Sequence, residues 1–147
     1  MKPDPTAKND VSKSLGFLLA KSYQRICAIF KEEFDRRDSH DLTPQQFGLL
    51  GFLWQEDGIT QAELSSRSQI DRTTMGGLID RLEKEGLLRR CRHPEDRRAY
   101  RVCLTERGKE LERELVPLGE LVQERFSAKL TPGEVETLKG LLEKLRR

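Results

Sequence analysis

Between Ile70 and Thr105 the chain reads IDRTTMGGLIDRLEKEGLLRRCRHPEDRRAYRVCLT, and its hydrophobic period changes midway. In the first half Met75, Leu78, Ile79 and Leu82 recur at helical spacing, with Asp71 placed to cap and Gly86 placed to stop. In the second half Tyr100, Val102 and Leu104 alternate with Arg101 and Cys103. That predicts strands over Leu88–His93 and Ala99–Leu104 around a turn at His93-Pro94-Glu95-Asp96. Six arginines (Arg89, Arg90, Arg92, Arg97, Arg98, Arg101) fall within thirteen residues there, against only Glu95 and Asp96. A short helix followed by a basic hairpin suits a DNA duplex, the helix in a groove and the hairpin along the backbone beside it.

The flanking sequence frames this segment with helices. Residues 1–10 are polar and Pro-containing and are expected to form a flexible tail. From Val11 to near Phe34, apolar residues recur at helical spacing. Thr43, Pro44 and Gln46 form a capping box with Pro at the first position, opening a second helix that stops at Asp57-Gly58. Thr60 with Glu63 opens a short third helix around Leu64, and Ser65 to Gln69 are expected to turn. After the hairpin, Thr105 begins a long helix with apolar positions from Leu111 to Leu130, which Pro117 should kink or locally break. Thr131 and Glu134 then cap a last helix. The expected fold is mainly α with a small β-hairpin wing: a winged helix-turn-helix over residues 43–105, flanked by helices over 11–38 and 106–147. The flanking helices have apolar faces that a small central domain cannot cover, so they are expected to pack against a second copy.

Composition narrows the function classes. The 147 residues suffice for one domain with its own core. The net charge of +2 says little, but its placement does: the hairpin is basic while Glu110, Glu112, Glu114, Glu120 and Glu124 acidify the following helix. Three cysteines make no disulfide framework and fit a reducing cytoplasm. The N-terminal ten residues lack the apolar core of a signal peptide, and the longest apolar stretch, Phe47 to Trp54, is too short for a bilayer. A cytoplasmic protein with no membrane partner is expected. No phosphate loop, nucleophile elbow or zinc-protease motif occurs, and two isolated histidines, His40 and His93, leave little for acid–base work, so an enzyme is not expected.

The candidate DNA-binding residues are Ser68, Gln69, Arg72, Thr73 and Thr74 at the leading end of the fourth helix, with Arg92, Asp96, Arg97 and Arg98 on the hairpin. Gly76 and Gly77 sit where bulk would limit close approach. Threonine and glutamine can bond base edges or phosphates, and arginine can reach guanine or the backbone. A wing arginine can also enter a narrow minor groove, with Asp96 expected to hold it by a paired hydrogen bond.

At these residues the chain resembles the MarR family of winged-helix regulators. The matching stretches are Asp96-Arg97-Arg98-Ala99, Val102-Cys103-Leu104-Thr105 with Gly108, and upstream Ile70 to Met75 and Leu78 to Leu87; the likeness runs from about Thr43 to Gly108. The resemblance implies a homodimer joined through its terminal helices, binding a roughly palindromic operator of double-stranded DNA, as a repressor or less often an activator. It implies that Arg98 is the minor-groove arginine and Asp96 its partner, with Arg97 able to share the role. It also implies an effector, most often a small aromatic acid or phenol.

For such an effector Phe17, Phe47, Phe52 and Trp54 are aromatic candidates, though each also suits a core. Cys27, on the stripe Tyr23, Cys27, Phe30, Phe34, is the candidate for an alternative, redox-responsive mode, against a buried and inert role. Cys91, His93 and Cys103 fall short of the four ligands of a zinc site, so no metal and no cofactor is expected. The alternative from another class is a winged-helix protein-interaction module without DNA binding, which would have no need of six clustered arginines.

Overall fold

The computed structural model describes residues 10–37 and 41–146. Its helices are α1 (Leu15–Arg36), α2 (Pro44–Gln55), α3 (Gln61–Ser68), α4 (Arg72–Lys84), α5 (Glu106–Phe126) and α6 (Pro132–Leu145), and its strands β1 (Ile59–Thr60), β2 (Leu88–Arg92) and β3 (Tyr100–Leu104). The expected flexible tail lies outside the described residues, as does His40; only Asp10 is described, accepting the Ser12 N–H at 3.1 Å.

The chain divides into two compact units, residues 34–120 and the paired terminal segments 1–33 and 121–147. In the first, α2 opens as its sequence demands: Gln46 N–H donates to Thr43 Oγ1 at 3.2 Å and Thr43 N–H to Gln46 Oε1 at 3.0 Å. Leu50, Leu53, Leu64, Met75, Ile79 and Leu82 from α2, α3 and α4 are fully buried, as are Leu87, Leu88 and Val102. Each such side chain contributes about 1.5–3 kcal/mol of transfer free energy. The wing closes this core with the face that carries Leu88, Val102 and Leu104.

Two features of this unit differ from the sequence expectation. Ser65 to Ser68 continue α3 instead of turning, because Ser68 Oγ donates to the Leu64 carbonyl at 2.6 Å within the helix. The turn is confined to Gln69, which takes a left-handed φ of 57°. A third strand, β1, also pairs antiparallel with β3 in the order β1-β3-β2, with Ile59 opposite Val102. Gly108 fixes the seam at the start of α5: a Cβ there would lie 2.2 Å from the Leu87 carbonyl oxygen. The Gly108 carbonyl in turn accepts Trp54 Nε1–H at 2.9 Å.

In the terminal unit α1 starts at Leu15, later than expected, because Val11–Lys13 form a separate 3-10 turn and Ser14 Oγ accepts the Phe17 N–H. Ile29, Phe30 and Val122 are buried. Arg125 of α5 forks to Glu33 at 2.5 Å and Glu32 at 2.9 Å. Those hydrogen bonds, Glu32 first, hold its guanidinium protonated beyond its usual range. α6 opens on a second reciprocal cap between Thr131 and Glu134. By contrast Leu15, Leu18, Leu141 and Leu145 stay more than half exposed.

Helix α5 runs unbroken through Pro117. The ring removes one N–H from the ladder, and Pro117 itself is exposed, so the loss does not end the helix. The helix stops at Phe126, short of Leu130, whose N–H turns back to the Ser127 carbonyl. No helix among the described residues is long and apolar enough to cross a membrane.

Candidate nucleic-acid interface

Asp71 caps α4 with both carboxylate oxygens: Oδ1 accepts the Thr74 N–H at 2.8 Å and Oδ2 the Thr74 hydroxyl at 2.7 Å. These bonds, the backbone one first, hold the Asp71 carboxyl below its ordinary value. Thr74 therefore has its hydroxyl proton committed to the cap, and only its lone pairs face outward. Arg72 and Thr73, in the same turn, are exposed. Ser68 is tied to its own helix and Gln69 is exposed at the α3–α4 corner. The predicted residues at the head of α4 thus differ in what they can offer a ligand. Arg72, Thr73 and Gln69 present free side chains; Ser68 and Thr74 shape the turn.

The wing is a regular ladder, Leu88 opposite Leu104, Arg90 opposite Val102 and Arg92 opposite Tyr100. Its tip is held by local bonds. His93 N–H donates to the Ala99 carbonyl, and His93 Nδ1 accepts the N–H groups of Glu95 and Asp96 at 3.1 and 3.2 Å. Asp96 behaves differently from expectation. Its Oδ1 accepts the backbone N–H of Arg98 at 2.9 Å, and among the described residues it pairs with no guanidinium. The carboxylate orders the loop (an Asx-type turn) and leaves the arginine side chains free.

The six arginines separate on inspection. Arg90 lies against the back of α4: Nη1 is 2.7 Å from Asp80 and 3.6 Å from Glu83, and Nη2 donates to the Gly76 carbonyl at 3.4 Å. Its own N–H donates to Glu83 at 3.0 Å. Arg90 therefore fastens β2 to α4. Among the described residues, none of Arg72, Arg92, Arg97 and Arg98 meets a carboxylate within ion-pair distance.

Arg72 and Arg98 come together from separate elements. They line an open cleft of about 230 Å³ with Thr60, Gln61 and Ala62 of the α3 start and Ala99 and Tyr100 of the wing. Among the described residues, no acidic side chain lines it. Thr60, Gln61 and Ala62 were missed in the sequence, though the capping threonine that begins the helix before α4 was a visible sign of a second helix start beside it. A Cβ on Gly76 would lie 3.6 Å from Gln61 Nε2, an ordinary contact, so α4 packs beside that amide there.

Of the aromatic effector candidates, Phe17 belongs to the terminal unit and Phe47, Phe52 and Trp54 to the other. Phe47 meets Phe34 and Trp54 edge-on, with ring centroids 5.7 and 5.9 Å apart, and Trp54 is fixed by Gly108. Phe52 is half-buried, and Phe17 lies on α1 under Lys21, whose Nζ is 5.4 Å from the ring. Cys27 is half-buried beside Tyr23, whose hydroxyl is pushed above its usual value chiefly by that thiol.

Residues 42–100 match the MarR family. Over 136 residues the chain is 34% identical to the HTH-type transcriptional repressor NicR of Pseudomonas putida, covering 92% of this chain and 84% of that one. The chain belongs to the MarR family. Among solved structures it superposes on Bordetella bronchiseptica BpsR, described for regulation of its DNA binding by 6-hydroxynicotinic acid, with a TM-score of 0.85, 32% identity and coverage of 95% and 97%. A mutant MarR from E. coli complexed with operator DNA matches with a TM-score of 0.81, 28% identity and coverage of 93% and 99%. The chain is a transcriptional regulator of MarR type, not an enzyme, and the mainly helical winged-helix architecture is that of its MarR relatives.

Proposed function

We propose that this MarR-type regulator is a homodimeric repressor of a palindromic operator, released by a small aromatic acid. The observation that carries the DNA reading is the cleft where Arg72 of α4 and Arg98 of the wing converge, lined by no carboxylate among the described residues. In this reading the head of α4 (Gln69, Arg72, Thr73, with Ser68 and Thr74 shaping it) meets base edges, and Arg92, Arg97 and Arg98 meet the backbone and flanking minor groove. Asp96 acts through the loop it orders.

The terminal segments 11–38 and 106–147 make the dimer, supported by the exposed Leu15, Leu18, Leu141 and Leu145. Two α4 helices about 34–36 Å apart would then read successive major grooves. The repressor sense and the effector class are supported by the likeness to NicR and to BpsR with its 6-hydroxynicotinic acid. Phe47 and Trp54 serve packing, which leaves Phe17 and Phe52 as the aromatic residues to scan for effector contacts.

The test is fluorescence anisotropy on the DNA upstream of the protein's own gene, across a salt series, with and without 6-hydroxynicotinic acid. The expected result is saturable binding that falls steeply with salt, weakens in Arg98→Ala and is reversed by the acid. Equal, weak binding to random DNA with no effect of Arg98→Ala would instead favour a protein-docking module.

A further inference from the structure

The wing's outer face carries two thiols to which the DNA reading gives no role. The register sets Arg89 opposite Cys103 and Cys91 opposite Arg101. Residues two apart on a strand share a face, so both thiols and both arginines lie together, on the side opposite Leu88, Val102 and Leu104. Both cysteines are free and half-buried, hence reachable from solvent. The thiols are neighbours. Cys103 is pushed up to about 11 by burial first, then by the Cys91 thiol and by Asp57, with Arg89 opposing. A Cβ on Gly58 would lie 4.0 Å from Cys103 Sγ, in ordinary contact, so Gly58 flanks that thiol.

We propose that Cys91 and Cys103 form a two-coordinate site for a soft, thiophilic monovalent cation of the Cu(I) class. Diagonal neighbours across an antiparallel pair stand about 7–8 Å apart, whereas a disulfide asks for roughly 4.4–6.8 Å between Cα atoms. A cation with metal–sulfur bonds of about 2.3 Å holds its sulfurs ~4.6 Å apart, a span that needs no closing of the strands. A soft cation displaces the thiol protons directly. Harder cations want more donors, and no group of three or more His, Cys, Asp or Glu side chains able to hold a metal gathers among the described residues. Thiolate donors alone select soft ions.

The step balances without redox change. Two thiols and one Cu(I) give one dithiolate complex and two protons, and the site passes from neutral to a single negative charge. Arg89 and Arg101, directly across the ladder, supply the compensating positive charge. Both belong to the wing's basic cluster, so a filled site draws positive charge away from DNA. This last consequence rests on the reading given under Proposed function; the binding of the cation does not.

The experiment is an anaerobic titration of the full reduced chain with Cu(I) supplied as its acetonitrile complex. It is read by near-ultraviolet thiolate-to-copper absorbance and by competition with bathocuproine disulfonate. Expected are one copper per chain and two protons released, unchanged in Cys27→Ser. In Cys91→Ser or Cys103→Ser the affinity should fall beyond the roughly 10–100-fold that losing an outer hydrogen-bond partner costs a metal site, while the variants melt like the parent chain. Parent-like copper binding in those two variants would overturn the proposal. So would a chain two hydrogens lighter, cross-linked between Cys91 and Cys103 and holding no copper. On DNA, loading should lower the salt slope by about one per wing, and an unchanged slope at full loading would overturn the coupling. Failure of the copper-free chain to bind DNA would count against the regulatory reading and leave the site standing.

Discussion

The two units treat their leucines in opposite ways. In residues 34–120, Leu50, Leu53, Leu64 and Leu82 have no measurable exposure, and the wing seals the core with Leu88 and Val102. In the terminal unit Leu15 is 62% exposed, Leu18 51%, Leu141 52% and Leu145 61%. Exposed apolar residues in such number on two helices are the kind that interaction sites use. The first unit satisfies its own hydrophobic residues; the second leaves these four leucines open. On the reading proposed above, assembly draws on one stretch of the chain and DNA contact on another, so the 34–120 core can stay folded when assembly is broken.

The largest effect should come from the terminal unit. Leu18→Asp combined with Leu141→Asp should turn the dimer into a monomer in sedimentation and cost operator affinity on the order of 10²–10⁴-fold, because linked half-site binding is lost. The melting of the 34–120 core, followed through Trp54, should change far less. A second dissection separates two arginines within the wing. Arg98→Ala should lower operator affinity by about 1–3 kcal/mol with no loss of thermal stability. Arg90→Ala should do the reverse. It removes the tie to Asp80, Glu83 and the Gly76 carbonyl, and because those carboxylates are substantially exposed the loss should be no more than about 1 kcal/mol. That corresponds to a melting shift of roughly 2–4 °C for a chain of this size. Arg98→Ala destabilising the fold, or Arg90→Ala leaving it untouched, would erase the distinction.

The smallest effect concerns pH. The Asp71 carboxyl sits below its ordinary value because Thr74 bonds the charged form. Its contribution to stability is therefore present above the unfolded value of about 3.9 and is lost as pH falls through the lower folded value. Acid melts of the parent chain and Asp71→Ala should differ near neutrality and converge at low pH. A difference that persists at low pH would mean that the cap works through its hydroxyl geometry alone.

Much of this architecture was legible in the sequence wherever the deciding partners are close along the chain. The caps at Thr43 and Thr131 are read directly, since donor and acceptor stand three residues apart. The hairpin's alternation likewise announces its buried face. Strand β1 was not legible: two residues have no period, and Ile59 becomes a strand only because Val102, far along the chain, lies beside it. The same limit hid the difference between Arg90 and Arg98. Both are wing arginines in a basic run, and only folding brings Asp80 and Glu83 to one and an open cleft to the other. Asp96 shows a subtler loss, since a carboxylate beside arginines suggests an ion pair while the backbone N–H two residues on is the nearer donor. Thr60, Gln61 and Ala62 escaped because a cleft belongs to several elements and to no single motif.

The bond from Trp54 to the Gly108 carbonyl has one more consequence. Trp54 is the chain's single tryptophan, half-buried where α2 meets the start of α5 and next to the glycine that must stay bare against Leu87. Its emission therefore comes from one seam alone. The protein carries a native optical gauge on the joint between its second helix and the base of its wing, readable without a dye as DNA, acid or copper is added.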